Sequence, residues 1–213
     1  MFIKEACVEN FTDIPKLLHR GANRIELCDN LAVGGTTVSE GVLKAALAYC
    51  QVVDVPVMAI IRPRGGDFFY TDTEKSIMRF DIQRALAAGV DGIVIGALTS
   101  DLALDIPFLK EVQQLTADSP VQLTFHMAFD ELSQATQFSV LTDLLALGFT
   151  RILTHGGPKE QGILESVSHL QALMAAAPDG LTILPGGGVT TDNLPSLQAA
   201  LPDLGEAHGT RIV

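Results

Sequence analysis

Two short stretches carry a glutamate and, two residues later, a cysteine: Glu5-Ala6-Cys7 and Glu26-Leu27-Cys28. Both lie in strand-like runs, where a period of two places residues i and i+2 on one face. Each run therefore presents a carboxylate and a thiol side by side. Arg62 falls at the end of a third run, PVMAIIRP, and His126 near the end of another, VQLTFHM. A guanidinium can clamp a carboxylate or phosphate through parallel hydrogen bonds, and a glutamate and a histidine can share the roles of proton acceptor and donor. Glu26, Arg62 and His126 thus make a candidate catalytic set for a small anionic or phosphorylated metabolite. The plainer alternative is that Glu26 neutralises Arg62 or Arg24 inside the fold. Gly186, Gly187 and Gly188 precede a helix start at Thr190-Thr191-Asp192. Glycines let backbone amides approach an anion and a helix start adds its dipole, so this run is a candidate phosphate cradle; a tight turn is the simpler reading. Cys50, His19 and His169 fall on helical stretches and receive no role.

The elements that position these residues follow from the apolar pattern. Strand-like runs near 2–8, 24–28, 56–63, 92–98, 121–127, 151–154, 181–184 and 206–213 alternate with helical stretches, three of which stop at a glycine, Gly21, Gly89 and Gly148. Ser39 has the position of an N-cap for the helix from Glu40. Eight strands alternating with seven helices predict a (β/α)8 barrel of one domain over residues 1–213, with the last helix missing. A doubly wound sheet is the alternative. In a barrel the C-terminal strand ends meet at one mouth, which would collect Glu5, Cys7, Glu26, Cys28, Arg62, His126, Thr154, His155, His208 and Thr210. Cys28, followed at once by the polar loop Asp29-Asn30, is expected to be the more accessible thiol. With no closing helix, the outer face of the last strand, at Ile212 or Val213, is expected to lie open and to mark a homo-oligomer contact.

Composition narrows the partners. A formal net charge of -11 over 213 residues argues against nucleic acid, whose phosphates require basic patches. Apolar runs are too short to span a bilayer, and no charged-then-apolar leader precedes the first strand. The expectation is a cytoplasmic chain with no membrane partner. Three cysteines at irregular spacing form neither a disulfide framework nor a CxxC zinc pattern.

The stretches RIELCDNLAVGGTT, IRPRGGDFFY, DGIVIGALT, TFHMAFD, RILTHGG and ILPGGGVT resemble the motifs of the CutC family, in order and over essentially the whole chain. The resemblance implies a barrel fold and a cytosolic role in copper homeostasis. It also implies that Cys7 and Cys28 are the copper(I) ligands, since the family carries cysteines at these two places. Copper(I) is soft and accepts two thiolates, so two cysteines suffice. Glu26, Arg62 and His126 match family positions as well. The family's His-Arg pair is His126-Met127 here, and its Thr-Ser-Gly is Thr154-His155-Gly156. A third possibility is a divalent ion held among Glu5, Glu26, His126 and His208.

Overall fold

The apolar runs become eight parallel strands: β1 (Ile3–Glu9), β2 (Arg24–Cys28), β3 (Val57–Ile60), β4 (Gly92–Ile95), β5 (Gln122–Phe125), β6 (Phe149–Thr154), β7 (Thr182–Pro185) and β8 (Glu206–Gly209). The computed structural model describes residues 1–158 and 160–213. The hydrogen-bonded order is β7-β6-β5-β4-β3-β2-β1-β8. Between β7 and β8 the ring is joined by a bridge from Thr190 to Arg211 instead of a ladder. This nearly closed ring is the (β/α)8 barrel that the alternation predicts, and not a doubly wound sheet.

Eight helices among the described residues cover its outside: α1 (Ile14–His19), α2 (Glu40–Val52), α3 (Asp72–Ala88), α4 (Ile106–Thr116), α5 (Gln134–Ser139), α6 (Leu141–Ala146), α7 (Val167–Ala176) and α8 (Leu194–Ala200). Ser39 caps α2, its hydroxyl accepting the Val42 amide at 3.3 Å. Thr71 and Glu74 form a capping box on α3. Between β5 and β6, where the alternation predicts one helix, there are two, α5 and α6. The Ser139 hydroxyl donates back to the Thr136 carbonyl at 2.9 Å, and the Val140 amide takes the same carbonyl at 3.1 Å. Such back-bonding tightens and bends a helix end. The expected open face at the last strand is also absent. Past Gly209 the chain folds back, Thr191 donating to the Arg211 carbonyl at 2.8 Å, and Ile212 is buried in the main core. The apolar face expected to mark a homo-oligomer contact is therefore not open at Ile212. No helix among the described residues is long and apolar enough to cross a membrane.

β2 shows how the sequence pattern maps onto the barrel. Its alternation reads as a half-buried strand, yet all five residues are buried. Ile25 and Leu27 pack outward among the helices. Arg24, Glu26 and Cys28 point the other way, into the barrel. A strand buried on both faces is the rule in a parallel barrel; here the polar face of the pattern lines the interior.

Candidate functional site

The barrel interior is built in layers from inward-facing residues. The lowest layer is ionic. Arg24 pairs with Glu5, and its Nη1 lies 2.6 Å from Glu206. Arg151 binds the other Glu206 oxygen at 2.7 Å, and donates to Thr124 at 3.1 Å and Gln122 at 2.9 Å. His208 Nδ1 lies 2.8 Å from Glu5. Burial alone would push the Glu5 carboxyl up, but the His208 hydrogen bond and the Arg24 charge outweigh it and hold it down at about 2. The sequence pattern placed Glu5 at the mouth, gave Arg24 an inward role only as an alternative partner of Glu26, and gave Arg151 none. The structure puts Glu5 below the mouth cavity, in the ion layer. The signal was present in Arg24, which is in phase with Glu26 and Cys28.

The second layer carries the thiols. Cys7 and Cys28 place their sulfurs 3.7 Å apart, in one small cluster with Met58, Ile60 and Val94. All three cysteines of the chain are unlinked. The register sets Cys7 opposite Glu26 and Cys28 opposite Glu9, so the two cysteines are two residues out of step. Strands about 4.8 Å apart with a rise of about 3.3 Å per residue put their Cα atoms roughly 8 Å apart. A disulfide rarely spans more than about 7 Å. The pair is thus close in sulfur but mismatched in backbone for an S–S bond. The hydrogen bond with Cys28, burial and the neighbouring Glu26 charge together push the Cys7 thiol well up. Cys7 donates to Glu26 Oε1 at 3.7 Å. Glu26 is itself pushed up, by burial first, with the His208 charge opposing and the Glu5 charge adding. Its second oxygen, Oε2, is buried with no hydrogen-bond partner among the described residues. His208 is raised: the Glu26 charge and the Glu5 hydrogen bond overcome the lowering effect of burial.

Cys28 is the less accessible thiol, contrary to expectation: it is 0% exposed against 7% for Cys7. The polar loop after it does not lead away. Asp29 and Thr36 exchange backbone hydrogen bonds at 2.7 and 2.9 Å, which folds the loop back over the strand end. A Cβ on Gly35 would lie 3.4 Å from Cys28 Cβ, and this glycine sits at φ +86°. Gly35 is therefore a lid on Cys28, while Gly34 packs against Arg62.

The upper layer opens into a cavity of about 220 Å³ lined by Cys7, Glu26, Arg62, His126, His208 and Thr210, among others. Glu26, Arg62 and His126 thus share one cavity. Arg62 does not neutralise Glu26. Its Nη1 donates to the Val33 and Gly35 carbonyls at 2.9 and 3.0 Å, and its Nη2 to Gly66 at 2.8 Å. It also lies over the Phe68 ring, 4.8 Å from the centroid. It straps the two glycine loops together. His126 Nδ1 accepts the Ala128 amide at 3.2 Å and starts a 3-10 turn over Met127–Glu131. Gly187 and Gly188 reach the cavity rim, at φ +78° and +115°. Gly186 does not line it: a Cβ there would collide with Leu153 and lie 3.0 Å from His208, so packing explains that glycine. Thr154 and His155 also stay out of the cavity lining. Thr154 bonds Asp130, and His155 Nδ1 lies 3.1 Å from the Gly157 carbonyl. Asp130, which nothing in the sequence pattern singles out, orders that corner.

The model of the CutC family matches residues 2–213. The chain is 52% identical to a CutC family protein of Enterococcus faecalis, over 99% of this chain and 100% of that one. It is 40% identical to the human copper homeostasis protein cutC homolog, over 91% of this chain and 67% of the human one. The solved structure of CutC from Streptococcus agalactiae superposes with a TM-score of 0.95 at 42% identity, covering 100% of both chains.

Proposed function

We propose a function for this chain from the premise that it belongs to the CutC family: it binds copper(I) between the Cys7 and Cys28 sulfurs, and so handles copper in the cytoplasm. The observation that carries the reading is the 3.7 Å between the two sulfurs. That is less than twice a metal–thiolate bond of about 2.3 Å, the length for zinc, so one ion spans both in a bent arrangement. The setting is soft, with the Met58 thioether in the same buried cluster, and soft sulfur donors select copper(I) over harder ions. The register that disfavours a disulfide keeps both thiols available, and two free thiols suit a reducing compartment.

The acid/base reading at Glu26, Arg62 and His126 gains less support. Two of the three Arg62 nitrogens, Nη1 and Nη2, are engaged by the carbonyls of Val33, Gly35 and Gly66, which leaves Nε as the one without a hydrogen-bond partner among the described residues.

Anaerobic copper(I) titration against a competing chelator tests the proposal. The unmodified protein is expected to take one ion per chain. Cys7→Ser and Cys28→Ser each remove a soft ligand and should abolish stoichiometric binding. Glu26→Gln should change the affinity little, because a carboxylate is a hard donor. Tight binding retained in both cysteine variants would sink the copper reading.

A further inference from the structure

We infer that the mouth holds a second donor set, Cys7, Glu26 and His208, which binds a divalent ion of the zinc(II) class in competition with copper(I). The competition rests on the copper reading above; the divalent set stands without it. One ligand atom from each of the three residues lies within 4.8 Å of the other two, and all three residues are buried. Sulfur, oxygen and nitrogen together suit a borderline divalent ion better than a soft one.

Three further observations point to an ion. Glu26 Oε2 is buried with no hydrogen-bond partner among the described residues, and a bound cation would satisfy it. The Cys7 sulfur lies 3.7 Å from Glu26 Oε1. Bonds of about 2.3 Å to sulfur and about 2.1 Å to oxygen set such atoms about 3.6 Å apart around a tetrahedral ion. Finally, His208 Nδ1 lies 2.8 Å from Glu5 Oε1 and 3.6 Å from Glu26 Oε2, so the ring is held against the Glu26 carboxylate. An outer carboxylate that fixes a histidine in this way is the usual support of a metal-ligating ring. Glu5 is in turn fixed by Arg24, so the ion layer acts as a rigid base for the site. Cys7 and Glu26 line the cavity of about 220 Å³, as does His208, so a fourth position is open to water or a small ligand.

Coordination releases the Cys7 thiol proton to solvent and forms a metal–thiolate bond, with no change of oxidation state. Copper(I) held between Cys7 and Cys28 uses the same sulfur. The two ions therefore exclude each other, and the pair of donor sets discriminates soft from borderline metals around one shared atom.

Cobalt(II), titrated anaerobically, is the probe, because thiolate-to-cobalt charge transfer reports the sulfur bond directly. The unmodified protein should develop this band at one cobalt per chain, and zinc(II) should remove it. Cys28→Ser should keep the band with affinity within about threefold, whereas Cys7→Ser should lose it. Glu26→Gln and His208→Gln should each weaken cobalt binding by more than about tenfold, the scale that even outer partners of a metal site show. One equivalent of copper(I) should abolish the band in the unmodified protein. Circular dichroism checks each variant, and Glu26→Gln, isosteric with the native residue, carries the comparison if His208→Gln does not fold. A band unaffected by both Glu26→Gln and His208→Gln, or lost in a folded Cys28→Ser protein, would overturn the divalent set. A band that persists beside one bound copper(I) would overturn the shared sulfur. Cobalt binding in the expected pattern with no copper(I) binding at all would overturn only the copper reading.

Discussion

A thiol held as Cys7 is held must lose its proton to become a ligand. The hydrogen bond with Cys28, burial and the Glu26 charge all favour the protonated form, so the thiol carries its proton throughout the neutral range. Copper(I) binding must release it. The apparent affinity should therefore rise with pH between 6 and 8, by about tenfold per unit for each proton displaced; a flat profile would mean that no thiol is deprotonated on binding. Glu5 has the opposite sign of shift. Its carboxyl, held at about 2 against an ordinary value of 4.5, contributes stability that is complete above the unfolded value and is lost as pH falls from 4.5 toward 2. Urea unfolding along that limb should show a loss of about 3 kcal/mol attributable to this group. Glu5→Gln should flatten the limb and, by leaving Arg24 and His208 without their anion, cost about 3–5 kcal/mol near neutrality. At this scale the sequence was informative about residue type and phase. It named Cys7, Cys28, Glu26 and His208 because period two puts them on inward faces. It could not say which of two sulfurs would be covered, because that depends on how a loop folds back.

That loop and its neighbour belong to the scale of elements. The segment after β2 was legible as glycine-rich, but not as a lid. Its direction is set by the exchange of backbone bonds between Asp29 and Thr36 and by the Arg62 guanidinium reaching Val33 and Gly35 from β3's far end. Both are contacts between segments that local pattern does not encode. Gly35 is required twice, by φ +86° and by the 3.3 Å approach of Ile60 to a Cβ there. Gly35→Ala should cost about 1–2 kcal/mol in urea unfolding, the penalty of a left-handed L-residue, and should weaken copper(I) binding by disturbing Cys28. An unchanged affinity with unchanged stability would mean that the lid does not position the thiol. Helix ends were better read: Ser39 caps α2 as its position suggests, because a cap is a local interaction. The break at Val140 was missed, since back-bonding by Ser139 leaves the apolar spacing intact.

At the scale of the whole molecule, the barrel was readable from the count and order of alternating segments alone. What was not readable was its seam. A bridge between Thr190 and Arg211 stands where a β7–β8 ladder would, and the backfolded chain buries Ile212, so an apolar strand end that looks exposed in sequence is covered in the fold. The face expected to mark a homo-oligomer contact is thus covered at Ile212. The interior ties the strands to the site: β1 supplies Glu5 and Cys7, β2 Arg24, Glu26 and Cys28, and β8 Glu206 and His208. An ion bound across β1 and β2 should therefore stabilise the whole barrel. At about 100 times the dissociation constant, copper(I) should add about 2.7 kcal/mol. For a chain of this size that raises Tm by about 5–10 °C, and Cys28→Ser should abolish the rise.

The most direct measurement is X-ray absorption at the copper edge on the copper(I)-loaded protein, prepared anaerobically at one equivalent. Two thiolate ligands predict a first shell dominated by sulfur at a single short distance, diminished to one sulfur or lost altogether in Cys28→Ser. A first shell of nitrogen and oxygen alone, unchanged in that variant, would place the ion away from Cys7 and Cys28 and contradict the proposal.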